Sequence, residues 1–540
     1  MQDNQISVIP EPANVTIREG NFTLTEQTKI ESDPKLKDVT EYFKNLISPA
    51  TGFNLVESDL KTGLTKSNTI YLELTEELGN LGEEGYCLRI NQKRILLTAN
   101  KPIGIFYGIQ TIRQLLPIEI ERKEKLSDIE WIIPSVEIRD SPRFSWRGYM
   151  LDEGRHFLGK DVVKHLLNLM ALFKLNVFHW HLTEDQGWRI FIRKYPRLTK
   201  VGSKRKKTQI GGFLSKKMDN APHKGYYTQK EVKEIISYAD KLFIKIIPEI
   251  DMPGHSKAAL AAYPKFSCTG GPFEVSTTFG IKKDVYCVGK ESTFEFLNNV
   301  LDEIVRLFPS EIIHIGGDEV PKKRWKKCPD CQEKIKKEHL KNEKGLQAYF
   351  TDRIMNYLSS HGRRIMGWNQ ILNNKSSNDI IAQKWLFGKK IIKNHLRKGG
   401  NVVFSQFGYT YLDYSYKRTS LRKAYYYEPI PKKLPDDYHK NVLGIEAPMW
   451  TEWVRNVREL DWQTFPRLIA IAESNWTPKE QKDLNSFRIR LDYLLKRLDI
   501  LGVHYAQKQE YQQNFINKLF GFLTLFKEPK RSSLYIKNTQ

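Results

Sequence analysis

Over the first 140 residues the apolar positions switch between two periods. ANVTIREGNFTLTEQTKI (13–30) alternates and predicts short strands, while residues 36–48 have helical spacing. YCLRINQKRILLTAN (86–100) alternates, turns and alternates again, which is a hairpin pattern. IGIFYGIQTIRQLLP (103–117) returns to helical spacing and stops at Pro117. Mixed strands and helices of this kind predict a small α+β domain over residues 1–140.

From residue 146 the pattern becomes strand, then helix, repeated. Candidate strands are WRGYMLD (146–152), LNVFHWHL (175–182), FIKIIPEID (243–251), IIHIGGD (312–318), RIMGW (364–368), IIAQKW (380–385), NVVFSQ (401–406) and VLGIEAP (442–448). KDVVKHLLNLMALFK (160–174) and TFEFLNNVLDEIVRLF (293–308) are amphipathic helices between them. Eight short apolar strands alternating with helices predict a (β/α)8 barrel over 141–505, although the segments after the fifth and seventh strands match a helix poorly. Residues 506–540 form a C-terminal extension whose amphipathic NKLFGFLTLF (517–526) suits docking on the barrel or lying on a membrane surface.

Composition narrows the partners. The 540 residues exceed one ordinary core, and 40% hydrophobic with 12% aromatic residues excludes wholesale disorder. The net charge of +23 comes with clusters at KRKK (204–207) and KKRWKK (322–327), but no nucleic-acid motif accompanies them, so they read as a solvated basic surface. No apolar run approaches the roughly 18 residues of a membrane span. Of five cysteines, Cys268 and Cys287 are placed to close a loop. Cys328-Pro-Asp-Cys331 is either a tight disulfide or half a zinc site, and without a second CxxC the metal reading is the weaker.

A barrel places its chemistry at the C-terminal ends of its strands. Those ends carry Asp152 and Arg155, His179 and His181, Asp185, Glu249 and Asp251, Asp318 and Glu319, Trp368, Trp385, and Trp450 with Glu452. Asp318-Glu319 follows a Gly-Gly pair that lets both carboxyls enter one site. A general acid beside a charge stabiliser is the chemistry such a pair serves, against the blander alternative of a solvated acidic turn. His179-Trp180-His181 sets two imidazoles on one face, either as metal ligands or hydrogen-bonded beneath the site. The fifth and sixth strands add only Lys384 to a ligand set, which favours the second option. Trp368, Trp385 and Trp450 at three strand ends suggest a cage for the apolar face of a sugar ring, although any single Trp is more often plain core.

SWRGYMLDEGRHF (145–157), NVFHWHLTEDQGWR (176–189), PEIDMPGH (248–255), HIGGDE (314–319), TYLD (410–413) and MWTE (449–452) resemble, in series, the β-N-acetylhexosaminidases of glycoside hydrolase family 20. The resemblance runs to about residue 505, and the first 140 residues look like that family's N-terminal α+β domain. It implies a retaining mechanism without a protein nucleophile, in which the substrate's 2-acetamido oxygen attacks C1 to give an oxazolinium ion. On the matching positions Glu319 is the general acid and base, Asp318 holds the acetamido N–H, and Tyr411 binds the acetamido oxygen. Trp368 and Trp385 form the acetamido pocket, with Asp413 and Trp450 lining the subsite. Arg155 and Glu452 grip the distal hydroxyls, and Asp185 and His255 line the same region. Gln370 departs from the pattern, standing where the family usually has Glu.

The resulting expectation is an exo-acting enzyme acting on glycans that end in N-acetylhexosamine, with no cofactor, no metal and no nucleic acid. Alternatives are a catalytically silent sugar-binding relative and a disaccharide-releasing one. Gluco and galacto substrates both remain open. Export is expected from the family's usual substrates, with a Cys268–Cys287 disulfide as support.

Overall fold

The structure is a computed structural model that describes residues 6–61, 66–512 and 527–529. The amphipathic stretch 517–526 lies outside the described residues.

The N-terminal part forms one seven-stranded mixed sheet in the order β1-β7-β5-β6-β4-β2-β3. The strands are β1 (Asn14–Thr23), β2 (Lys29–Ser32), β3 (Val56–Asp59), β4 (Thr69–Leu74), β5 (Tyr86–Ile90), β6 (Arg94–Ala99) and β7 (Ile132–Asp140). The predicted hairpin is the antiparallel β5–β6 pair, Tyr86 facing Ala99. Its helices are α1 (Lys37–Thr51) and α2 (Pro102–Leu115). Residues Gly104 to Gln114 of α2 are all buried, because the helix is covered by the sheet on one side and by the barrel on the other. Gly108 permits that approach: a Cβ there would sit 2.2 Å from Leu97.

Eight parallel strands close the barrel: Trp146–Asp152, Val177–His181, Lys245–Glu249, Ile312–His314, Arg364–Trp368, Ile381–Lys384, Val402–Phe404 and Val442–Met449. All eight lie where the hydrophobic pattern puts them. Helices Lys160–Leu172 and Glu291–Leu307 are the two read from periodicity. The connection from the fifth to the sixth strand holds only the short turn Asn369–Ile371, and that after the seventh only Leu421–Tyr425 and a further short turn. These are the two segments whose spacing matched a helix poorly.

Inside the barrel, Trp146, Val177, Ile247, Ile312, Met366, Ile381 and Val403 pack as an apolar plug. Nearer the C-terminal ends the interior turns polar, and the candidate residues begin there.

Candidate active site

The fourth strand ends at His314, and the chain turns through Gly316 (φ 64°) and Gly317 (φ 88°) into Asp318 and Glu319. Positive φ favours glycine, and here space demands it too: a Cβ on Gly316 would lie 1.9 Å from Asp251 Oδ1. Glu319 itself sits at φ 48°, a strained setting for a non-glycine residue. Its N–H donates to Gln370 Oε1 at 3.0 Å. The turn sends the two carboxyls to different surroundings. Asp318 is 9% exposed, and its Oδ1 is buried without a hydrogen-bond partner. The Glu319 side chain keeps 33% of its surface open.

Burial pushes the Asp318 carboxyl up to about 7, with Glu319 and Glu249 adding to the rise and His255 opposing it. Burial likewise raises Asp251, with Asp318 and Glu249 nearby. His255 reaches Glu319 at 3.8 Å through Nε2. Its Nδ1 lies 2.7 Å from Glu184 and 3.5 Å from Asp185. Burial opposes a charge on His255, but these carboxylates outweigh it and raise its pKa well above the ordinary value. The ring beside Glu319 is thus one whose charged form the carboxylates behind it favour. Asp185 also accepts from the Lys257 N–H at 2.9 Å, so it orients His255 and its loop.

Beneath this layer Glu249 is a hub. It meets His179 Nε2 at 2.9 Å, His181 Nδ1 at 2.6 Å, His314 Nδ1 at 3.0 Å and Trp368 Nε1 at 3.0 Å. His179 also pairs with Glu446 at 2.8 Å. Burial would discharge His179, but Glu446 and Glu249 outweigh it and bring its pKa to about 9. The two imidazoles of His-Trp-His therefore serve as partners of buried carboxylates, the second of the roles the sequence allowed. Glu249, which they flank, accepts from Trp368, 1% exposed, and fixes it as the floor of the cage.

The cage itself is continuous. Trp368 contacts Trp450 at 5.6 Å and Trp385 at 6.5 Å between ring centroids, and Trp385 stacks with Tyr411 at 6.3 Å and 25°. Asn369 Oδ1 pins one wall by accepting from the Trp385 backbone N–H at 3.1 Å. Burial raises the Tyr411 phenol well above its usual range, and the nearby Asp413 and Asp318 charges add to it. At the far end Arg155 lies 4.7 Å over Trp450 and pairs with Asp152 at 3.1 Å, Glu184 at 3.2 Å and Glu452 at 3.3 Å. Asp413 keeps a buried, unpartnered Oδ1, and burial with Glu452 nearby raises its pKa. The arrangement offers aromatic faces for a ring, charged grips for hydroxyls, and two carboxyls of unlike character at one end.

The structure thus brings together Arg155, His255, Asp318, Glu319, Trp368, Trp385, Tyr411, Asp413, Trp450 and Glu452, with Asp185 one layer behind. Glu184 was not singled out in the sequence, although it meets Arg155, His181 and His255. Its adjacent acidic neighbour in Thr-Glu-Asp at a strand end was the available signal. The expected Cys268–Cys287 disulfide is not formed: all five cysteines are free, and Cys287 lies 3.6 Å from both Cys328 and Cys331. That support for export falls with it. In the extension, Glu528 accepts from the Gly211 N–H at 2.8 Å and pairs with Arg455.

Known proteins share this architecture. A family model described as the glycosyl hydrolase family 20 catalytic domain matches residues 144–479, and one for domain 2 of that family matches 5–141. A β-hexosaminidase of Porphyromonas gingivalis is 39% identical over 93% of this chain, which spans 64% of that longer relative. A β-hexosaminidase of Akkermansia muciniphila is 32% identical over 83% of this chain and 91% of its own. Among solved structures, the β-N-acetylhexosaminidase of Streptomyces coelicolor superposes with a TM-score of 0.81 at 30% identity, covering 94% of this chain and 99% of that one. A mutant Streptomyces plicatus β-hexosaminidase in complex with its product GlcNAc gives 0.81 at 30%, covering 94% and 98%. With its barrel, its paired carboxyls and a catalytic-domain match over most of its length, the chain is a glycosidase that belongs to glycosyl hydrolase family 20.

Proposed function

We propose that the chain is an exo-acting, retaining β-N-acetylhexosaminidase that removes terminal non-reducing β-linked N-acetylhexosamine by substrate-assisted catalysis. The observation that carries this is Asp318: a buried carboxyl with an unpartnered oxygen beside the aromatic cage, poorly placed to stay solvated and well placed to meet an N–H. In the mechanism, Asp318 accepts the acetamido N–H and faces the positive charge that develops, and Tyr411 donates to the acetamido oxygen. That oxygen attacks C1 while Glu319 protonates the departing glycosidic oxygen. Glu319 then takes a proton from water, which opens the oxazolinium ion at C1 with net retention. The buried charges around Asp318 are fixed before the reaction, so little reorganisation is needed as charge develops. The GlcNAc complex of the S. plicatus relative supports a substrate of this class. The buried charged set at the far end favours one terminal sugar over a disaccharide, and the intact Asp318, Glu319 and Tyr411 speak against a silent binding protein.

The test uses leaving groups. Glu319→Gln keeps the ring-closure route, so aryl glycosides with very acidic phenols should lose far less rate than ordinary glycosides. Asp318→Asn should slow both kinds. A thiazoline mimic of the intermediate should inhibit tightly, and a plain glucoside should be nearly inert. A covalent sugar on either carboxylate, trapped with a fluorinated substrate and seen by mass spectrometry, would sink the substrate-assisted reading.

A further inference from the structure

Four cysteines far apart in sequence meet at one point behind the catalytic loops. Cys268 and Cys287 lie on the loop that follows the third barrel strand, and Cys328 and Cys331 on the segment that follows Asp318 and Glu319. Their four sulfurs all lie within 4.8 Å of one another. Cys268 and Cys331 are 3.8 Å apart, Cys287 and Cys328 3.6 Å, and Cys287 and Cys331 3.6 Å. Two disulfides would give each sulfur one partner at about 2.05 Å. Here Cys287 and Cys331 each have two partners at nearly equal distance. A tetrahedron of thiolates around zinc, with bonds of about 2.3 Å, has edges of about 3.8 Å. We propose that Cys268, Cys287, Cys328 and Cys331 form a structural zinc site.

The backbone is shaped to present them. The Ser267–Tyr286 bridge, with the Cys287 N–H donating to Phe266 O at 2.8 Å, sets Cys268 and Cys287 on neighbouring extended segments. Cys328 is the N-cap of the helix Pro329–Lys337, and Cys331 lies in its first turn. The amides of that turn favour negative sulfur. The two segments close on Gly289, where a Cβ would sit 2.2 Å from the Asp330 carbonyl carbon and 2.4 Å from Cys331 N. Cys287, Cys328 and Cys331 are at most 3% exposed and Cys268 is half-buried, and four thiolates fill a tetrahedral zinc with no open position for chemistry. Binding requires loss of the thiol protons, which solvent carries away.

Its position gives it a purpose. The first cysteine pair shares a loop with Asp251 and His255, and the second follows the acid–base turn. Arg324 with Asp284 at 2.6 Å, and Trp325 Nε1 donating to Tyr286 O at 2.9 Å, tie the same two loops. A zinc ion there would lock the His255 loop to the Glu319 loop. For want of a second CxxC, the sequence leaves the zinc reading the weaker one. The second pair is instead brought together across an 18-residue loop spanning residues 269–286.

The test is the zinc content of the full chain, purified without chelator or added metal, by inductively coupled plasma mass spectrometry. About one zinc per chain, with a four-sulfur shell near 2.3 Å in X-ray absorption, is expected. Cys328→Ser with Cys331→Ser should lose the zinc, while Cys87→Ser, on β5, should keep it. If the double variant fails to fold, the wild-type content and sulfur shell still decide. Wild type without zinc overturns the proposal, whether its cysteines map as two disulfides or titrate as free thiols; so does iron in the sulfur shell.

Discussion

At the scale of single residues, the site depends on one contorted turn. Glu319 holds a positive φ because Asp251 receives the Gly317 N–H and Gln370 receives its own. Gln370→Ala removes the second acceptor. A hydrogen bond of about 1 kcal/mol corresponds to a loss of roughly fivefold in kcat. Gln370→Glu, which retains an acceptor oxygen, should recover most of it, as steady-state kinetics would show. The same turn makes Asp318 costly to keep ionised. The carboxyl is protonated up to about 7 in the folded chain but only to about 3.8 when unfolded, so its contribution favours the fold at low pH and is lost as the pH rises through 7. Asp318→Asn should therefore stabilise the protein at pH 8, by a few kcal/mol at most, and lose that advantage near pH 4. Thermal melts at both values check the sign. The Asp-Glu pair was legible in the sequence because a strand end and two glycines mark it. Glu184 and the cysteine cluster were not, since what defines them is contact between residues far apart in the chain.

At the scale of elements, the eight barrel strands were legible because parallel strands buried on both faces read as short apolar runs. Their ends were less so: the pattern extends the fourth strand to Asp318, but pairing stops at His314, where the glycines take over. The two-residue strands at Thr183–Glu184, Gly187–Trp188, Lys204–Arg205 and His223–Lys224 are too short to leave a period. The third strand carries more than its sequence suggests, because Glu249 anchors groups from the second, fourth and fifth strands. Glu249→Ala takes this carboxylate from three buried imidazoles, His179, His181 and His314, and from the Trp368 indole. A loss of about 3–5 kcal/mol is expected, as for other broken buried pairs. Urea unfolding measures it, and a loss under 1 kcal/mol would show the hub to be replaceable.

At the scale of the whole molecule, the two parts are joined by buried ion pairs. Arg147, on the first barrel strand, grips Glu84 at 2.7 and 2.9 Å. Arg497 reaches Glu121 at 2.7 Å, where Arg113 also pairs, and Lys174 meets Asp140 at 3.2 Å with both side chains fully buried. The sequence shows these as scattered charges, and only the packed interface pairs them. Glu121→Ala strands two buried guanidiniums and should cost about 3–5 kcal/mol. Calorimetry of the wild type should show one transition for sheet and barrel together; two separated peaks would contradict a shared interface of this strength.

The buried end of the sugar cage has a further outcome. Arg155, held by Asp152, Glu184 and Glu452, stands at the far end of the cage; on the exo-acting reading proposed above, a glycan strand enters there by its tip and is not threaded across. Such a catalyst responds to the number of chain ends and hardly to chain length. Doubling the branches of a polymer at fixed mass should nearly double the initial release of sugar. The thickness of the solution would stay almost constant while monosaccharide accumulates, so a viscometer and a reducing-sugar assay run side by side would tell very different stories.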